Sequence, residues 1–325
     1  MNTVLTLCSA NYLAHAKVLG QSLAASNPDY RFVIGLVDRP PPHLDLAKWL
    51  PFEVLPVADL GLAEFPAMAN KYSVVELNTA VKPFYLEYLY RRDPGMQTAI
   101  YLDPDILVLG RFDGLAEKLK SNNIVVTPHS CTYDDTSVNM HYEICMLSTG
   151  VYNLGFLGTA RSKTTAAFLQ WWRKRLVDHC YYDVGWGAFC DQQWVVLAPL
   201  YFDGVHVEKD PGYNMSYWNH FERWLSPTEK GYLVNGRHEL IFHHFSSFDP
   251  LRPNIIARRN PEQVATFAAR PDLKPLYDDY GKRLLAAGYE SVHGLKCCYG
   301  RTDAAPTFKT RLRRTLAALP RVMRS

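Results

Sequence analysis

The sequence predicts an α/β protein, a mostly parallel central sheet flanked by helices, and three observations carry that expectation. The chain opens with a strand-helix-strand unit: apolar Thr3–Cys8, then Tyr12–Ala25 with Leu13, Ala16, Leu19 and Leu23 at helical spacing, then Arg31–Val37. Further strand-like runs, Phe52–Val57, Thr98–Gly110, Ile124–Pro128 and Gly150–Leu157, alternate with helical ones. Finally, 325 residues at 48% hydrophobic and 13% aromatic content suffice for one large α/β domain, or two smaller ones, with a full core. A β-α-β start implies parallel strands with a ligand crevice at their C-terminal ends.

Asn27-Pro28-Asp29 stops the first helix, and Ser9, Asn11 and Tyr12 stand at the C-terminal end of the first strand. Tyr12 is open to two readings, a ring that stacks on a base or the first core residue of its helix. Pro40-Pro41-Pro42 is a loop. Ser73–Tyr90 reads as a long helix interrupted at Lys82-Pro83: either it kinks there, or a second helix starts with Pro83 in its first turn. Lys82 at a helix start is not favoured by the dipole, so it either faces an anion or sits on a solvated rim. Phe112–Leu119 reads as a short helix, Tyr133–Tyr142 as a flexible loop and Thr164–Val177 as an amphipathic helix. Asn153 lies between apolar neighbours and, once buried, needs partners for its amide. Cys180–Cys190 is an aromatic, glycine-containing loop able to close over a ligand, and Asp191 is placed to cap the helix that follows. Tyr201–Val207 and Leu240–Phe248 read as strands and Leu276–Ala287 as a further helix.

The most informative stretch is Thr98–Gly110, because Asp103 and Asp105 interrupt an apolar run. Ionised groups there carry a large desolvation cost unless a positive charge compensates, and neither flank supplies Lys or Arg before Arg111. Residues i and i+2 of an extended segment point the same way, so the two carboxylates can face one point while Pro104 stiffens the chain between them. Hard divalent ions such as Mg²⁺ or Mn²⁺ take such oxygen ligands and keep positions open for phosphate oxygens. The triplet alone leaves a second reading open, a strand ending in a solvated turn. Late in the chain, His243 and His244 end an apolar strand; adjacent strand residues face opposite ways, so at most one reaches the Asp pair.

Net charge is +3, yet Ala304–Ser325 holds Lys309, Arg311, Arg313, Arg314, Arg321 and Arg324 with no acid, leaving the rest of the chain at −3. A basic body suited to nucleic acid is therefore absent, and no nucleic-acid partner is expected. Within Lys309–Arg324, Leu312, Leu316 and Leu319 form an apolar stripe among basic residues, a pattern suited to an anionic membrane surface as well as to a frayed tail. Seven cysteines with no C-x-x-C pair argue for reduced thiols in a cytosol. No signal-peptide pattern opens the chain and no run reaches transmembrane length, so a cytoplasmic protein, peripheral at the inner face of the cell membrane, is expected.

With these pieces placed, the chain resembles GT-A fold glycosyltransferases, most closely the retaining family 8 type and its bacterial relatives. The order carries the resemblance over roughly Thr3–Pro253: Asn11-Tyr12-Leu13-Ala14-His15-Ala16 matches N-Y-L-x-x-A, Val37-Asp38 a strand ending in Val-Asp, and Tyr101–Gly110 the Y-L-D-x-D motif with its aliphatics and glycine. Asn153-Leu154-Gly155, Asp191-Gln192 and His244-Phe245 follow in register. The resemblance implies a GT-A fold with a nucleotide-sugar, metal and acceptor domain over 1–255; beyond it the chain reads as a C-terminal helical extension over 256–303 and the basic tail over 304–325. It implies Asp103, Asp105 and His244 as ligands of Mn²⁺ or Mg²⁺. Ser9 and Tyr12 would then meet the nucleotide and Lys82 the donor sugar or diphosphate, with Asn153, Asp191 and Gln192 lining the sugar pocket. The implied reaction moves a sugar from a UDP-sugar, with retention, to a glycan or lipid-linked acceptor, in cell-surface polysaccharide synthesis. One departure stands out: where the family has Gly and Lys-Pro-Trp after the late His, this chain has Ser246-Ser247-Phe248-Asp249-Pro250, which removes that lysine and leaves Arg252, Lys209 and Lys82 as candidate substitutes among which the sequence does not choose. A nucleotidyltransferase and a non-catalytic nucleotide-sugar binding protein are the alternatives, although no glycine-rich N-terminal phosphate loop is present for the former.

Overall fold

The computed structural model of the chain describes residues 2–133, 137–229, 231–258 and 264–301. The basic tail of the sequence reading lies outside the described residues. Seven strands form the central sheet: β1 (Asn2–Cys8), β2 (Tyr30–Leu36), β3 (Glu53–Pro56), β4 (Thr98–Leu102), β6 (Ile124–Pro128), β7 (Tyr152–Ala160) and β10 (Val205–Val207). Between them come the short β5 (Ile106–Val108) and the hairpin β8 (Tyr182–Asp183) with β9 (Ala188–Phe189). The sheet order is β10-β6-β7-β4-β1-β2-β3, with every neighbouring pair parallel except those made by β7, which runs the other way. The fold is thus the expected mostly parallel α/β sheet, packed on both faces, with a helix at Lys274–Ala286 near the C-terminus.

The reversal of β7 decides where the site forms. The C-terminal ends of β1, β2, β4 and β6 lie along one edge, and the antiparallel β7 brings its N-terminal end, with Asn153 and Gly155, to that same edge. Later, β11 (Leu225–Thr228), β12 (Gly231–Val234) and β13 (His238–Glu239) make a small antiparallel sheet, and β14 (Phe242–His244) pairs antiparallel with β5, setting His244 opposite Ile106. The Lys274–Ala286 helix packs Leu276, Tyr277, Tyr280 and Leu284 into one apolar cluster with Ala14 and Val18 of the first helix and Leu107 of β5.

Several local expectations are corrected. Tyr133–Tyr142 is not a loop throughout, because a helix spans Ser137–Thr149; its apolar stripe Met140, Ile144 and Leu147, at helical spacing, stays exposed. Tyr201–Val207 is strand only over Val205–Val207, since Ala198–Tyr201 is helical with Pro199 in its first turn and Gly204 turns at φ +69°. Leu240–Phe248 is strand only over Phe242–His244. At Lys82-Pro83 the helix does not kink: one ends at Ala80 and another runs Lys82–Arg92 with Pro83 in its first turn, where its missing N–H costs nothing.

Candidate active site

The acidic stretch is two strands and a turn. β4 ends at Leu102, the amide of Ile106 donates to the Asp103 carbonyl at 3.2 Å, and β5 begins, so Asp103-Pro104-Asp105 is a tight turn rather than one extended segment. Both carboxylates nonetheless face one point. Asp103, Asp105 and His244 each present a ligand atom within 4.8 Å of the others, the His244 Nε2 lying 3.1 Å from Asp105 and 3.8 Å from Asp103. Backbone bonds fix the turn: the Asp103 amide donates to the Gly155 carbonyl at 2.8 Å and the Phe245 amide to that of Asp105 at 2.8 Å. As the alternation of a strand requires, His243 points away, into an aromatic cluster with Tyr277 and Phe245, where its Nε2 is 3.2 Å from that of His220.

Gly155 makes room for the imidazole. A Cβ on this residue would lie 2.5 Å from the His244 Cε1 and 2.7 Å from its Nδ1. Trp218 packs edge-on against the same ring at 5.1 Å, and His244 is buried, so little free space surrounds it. Gly155→Ala is therefore expected to displace His244 and to weaken metal binding by about 10- to 100-fold, the scale seen when a ligand loses its support. Titrating Mn²⁺ into the variant checks this, with circular dichroism to show that the fold survives.

The compensating charge that the flanks of the Asp pair lack comes from far away in sequence. Lys82, buried at the start of its helix, donates from Nζ to the Leu154 carbonyl at 2.8 Å, lies 2.8 Å from the Asp191 carboxylate and 3.7 Å from that of Asp103, and sits 4.4 Å over the Tyr101 ring. Tyr101 donates its hydroxyl to Asp103 at 2.6 Å. Burial disfavours the Lys82 charge, but Asp191 and Asp103 outweigh it and raise its pKa. For Asp191, burial raises the pKa and Lys82 only partly offsets this. Asp191 stands at the start of the short helix Gln192–Val195 yet makes no side-chain cap; its carboxylate is turned to Lys82 instead.

Burial opposes the His244 charge, but Asp105 and Asp103 win and raise its pKa; Asp105, pushed up by burial, is pulled down further by His244 and ends below the usual carboxylate range. A raised imidazole pKa gives the metal-free protein stability that is fully present below about pH 6.5, the ordinary histidine value, and is lost as pH rises through the raised pKa. Metal binding needs the neutral ring, so Mn²⁺ affinity is expected to rise about tenfold per pH unit until that raised pKa is passed and then to level off. Calorimetric titrations at several pH values check the slope.

Of the remaining sequence candidates, Asn153 adjoins this centre through Gly155. Asn153 is buried with its amide committed: Oδ1 accepts from the Gly155 amide and from Asn214 Nδ2, both at 3.1 Å, and Nδ2 faces His129 Nε2 at 3.3 Å. Gln192 donates from Nε2 to the Thr149 carbonyl at 2.8 Å, anchoring the end of the Ser137–Thr149 helix. Ser9 is buried after β1 and accepts from Asn78 Nδ2 at 2.8 Å. Tyr12 is 38% exposed and stacks on His15 with centroids 4.4 Å apart, so it is not a buried helix-core residue. Lys209 lines a separate cavity of about 450 Å³ with Cys131, Arg237 and His238, none of them a member of the metal cluster, and Arg252 lies on an exposed turn. Sequence reasoning missed Trp218, His129 and Asn214, which lack a motif, and the support role of Asp38, whose carboxylate accepts from the Ala10 and Arg39 amides at 3.1 and 2.8 Å.

No protein-family model matches the chain. Among curated proteins it is 24% identical over 286 residues to the uncharacterized protein YfnF of Bacillus subtilis (strain 168), spanning 86% of this chain and 90% of the relative. It is 23% identical over 248 residues to the uncharacterized protein YfnD of the same organism, spanning 75% and 76%. Solved structures it is similar to include several glycosyltransferases. They include the galactosyltransferase LgtC in complex with donor and acceptor sugar analogs, at 15% identity and TM-score 0.49 over 90% of this chain and 97% of that one. The apo form of the glycosyltransferase GlyE of Streptococcus pneumoniae TIGR4 gives 16% and 0.48 over 93% and 66%, and mouse xyloside xylosyltransferase 1 gives 15% and 0.43 over 75% and 97%.

Proposed function

We propose that this chain is a metal-dependent glycosyltransferase that moves a sugar from a nucleotide-diphosphate sugar, UDP-sugar being the first to test, to a glycan or lipid-linked acceptor with retention. The observation that carries it is the convergence of Asp103, Asp105 and His244 at the C-terminal edge of the sheet, beside the Lys82–Asp191 pair. Three carboxylates against one lysine and one imidazole leave room for positive charge, and three protein ligands leave octahedral positions for diphosphate oxygens and water. An imidazole nitrogen beside two carboxylates suits Mn²⁺ better than the strictly oxygen-loving Mg²⁺. Bound there, the ion would supply Lewis-acid stabilisation of the charge that grows on the departing diphosphate.

The chain's own residues do the rest. Lys82 takes the place of the lysine missing after the late histidine, because it is the cation nearest Asp103 among the three candidates and its charge is held by two carboxylates. The same contact sets the Asp191 carboxylate, which with the Gln192 amide supports the oxocarbenium-like sugar electrostatically; paired with Lys82, it is not a free nucleophile. Ser9 and Tyr12 receive the nucleoside, and Asn153 holds Gly155 and His129 in register beneath the sugar. The chain divides in this reading as 1–255 for catalysis, 256–303 for the helical extension and 304–325 for attachment to an anionic membrane at the inner face of the cell. Among the described residues no helix is long and apolar enough to cross a membrane.

The test is a panel of nucleotide sugars, each with Mn²⁺ or with chelator, read as release of nucleoside diphosphate. One donor is expected to be turned over, slowly by water and faster with acceptor, only with metal. Formation of nucleoside triphosphate and sugar 1-phosphate from the donor when pyrophosphate is added would instead mean a nucleotidyltransferase, and tight binding without any release a non-catalytic binding protein. Deleting Ala304–Ser325 is expected to abolish sedimentation with phosphatidylserine vesicles while leaving that turnover, since each of its six basic residues contributes about 1 kcal/mol near such a surface.

A further inference from the structure

The last described residues do not trail away from the molecule. Cys297–Arg301 cross the C-terminal ends of β1 and β2, the edge to which Ser9 and Tyr12 belong. The Cys297 thiol donates to Asn11 Oδ1 at 3.4 Å, and the Cys298 amide donates to Asp38 Oδ1 at 2.9 Å. Tyr299 receives the Arg39 guanidinium over its ring at 5.8 Å and packs edge-on against Phe65 at 5.0 Å. The Arg301 amide donates to the Tyr72 carbonyl at 2.7 Å, and Arg301 pairs with Ser73 as an isolated parallel bridge.

Gly300 shows that this seat is specific. Its φ of +87° belongs to the left-handed region, and a Cβ there would lie 2.8 Å from the backbone of Val74. The segment is thus tied at both ends, to Asp38 on one side and to the start of the Val74–Ala80 helix on the other. That helix carries Asn78, which donates to Ser9. Asp38 is buried, with its two oxygens shared among the amides of Ala10, Arg39 and Cys298. Through the Ala10 amide it fixes the turn Ala10–Tyr12, which carries Asn11 and the exposed Tyr12.

We propose that Cys297–Arg301 is a strap that positions the Ser9–Tyr12 turn and walls the nucleoside end of the donor site, through the Cys298 amide on Asp38 and the Cys297 thiol on Asn11. This rests on the nucleotide-sugar reading above and adds to it a binding element 286 residues distant in sequence from the turn it serves, counted from Asn11 to Cys297. The strap touches none of Asp103, Asp105 and His244 through any of these bonds, so its loss is expected to weaken nucleoside binding without altering the metal cluster.

Two full-chain variants test it. Gly300→Val unseats the strap at its far end, and Cys298→Pro removes the N–H that Asp38 accepts. Wild type is first titrated with UDP, GDP, ADP and CDP in Mn²⁺, and the tightest is carried forward. Both variants are expected to bind that diphosphate about tenfold or more weaker, the scale of one lost hydrogen bond to a charged group, and to raise donor KM with kcat kept, while Mn²⁺ affinity and melting cooperativity stay as in wild type. Folded variants that bind as wild type does would overturn the strap. Wild type binding no nucleoside diphosphate at all would instead overturn the donor reading beneath it. Should neither variant fold, iodoacetamide labelling of wild type decides: the diphosphate is expected to slow labelling at Cys297 and Cys298 relative to exposed Cys131, and equal slowing or none would contradict the proposal.

Discussion

Asp105→Ala is expected to reduce metal-dependent donor turnover on the order of 10³-fold, the scale at which a group that stabilises transition-state charge is lost. Asp105 is the carboxylate nearest His244, at 3.1 Å, and its pKa is held low by that contact, so it is the one already poised to bind as an anion. Removing it takes away a ligand and also the partner that raises the histidine's pKa, so the variant's His244 should titrate lower. Steady-state rates at saturating Mn²⁺ check the first effect, and histidine NMR titration of the metal-free protein the second. Asp105→Asn, which keeps the shape, is expected to fail nearly as badly, since an amide oxygen is a weaker ligand for a hard cation.

Lys82→Met should have the largest effect on stability. Its side chain is 3% exposed and that of Asp191 4%, so methionine in its place leaves a carboxylate buried without its partner, at a cost of about 3–5 kcal/mol near neutral pH. The pH dependence of that loss is diagnostic. The unpaired Asp191 would have a pKa raised further above its unfolded value, so the folded form gains from its protonation below the unfolded pKa and loses that gain as pH rises through the folded one. The deficit should therefore shrink in acid, as denaturant melts at several pH values would show. Pairing Lys82→Met with Asp191→Leu is expected to recover most of the stability, because two apolar groups replace the ion pair, but none of the turnover. Recovery of both would make the pair structural only.

How much of this was legible in the sequence depends on whether a local pattern marks the residue. The strand-helix-strand start, the run through Tyr101–Gly110 and the late strand could be read because apolar periodicity and the interrupting carboxylates are local signals. That only one of His243 and His244 reaches the Asp pair followed from strand alternation, and the structure shows it to be His244. The helix Ser137–Thr149 was hidden because its opening part, Ser137–Tyr142, has few apolar residues, and the stripe Met140, Ile144 and Leu147 is completed only beyond the segment read as a loop. Most of what surrounds the site is set by tertiary approach. Lys82 meets Asp191 across 109 positions and Cys298 meets Asp38 across 260, and no spacing rule announces such pairs. The local role expected for Asp191, a helix cap, gave way to the lysine because both groups are buried and each would otherwise be a charge left unpaired away from water.

The claim on which the rest depends is that Asp103, Asp105 and His244 hold a divalent ion that in turn holds a nucleoside diphosphate. Calorimetric titration of UDP into the full chain, with Mn²⁺ and then with EDTA, tests it most directly. Binding that is tight with Mn²⁺, falls by about 100-fold or more in EDTA and disappears in Asp105→Ala is the predicted result. Equal affinity with and without the metal, or an Asp105→Ala variant that binds as wild type does, would contradict it.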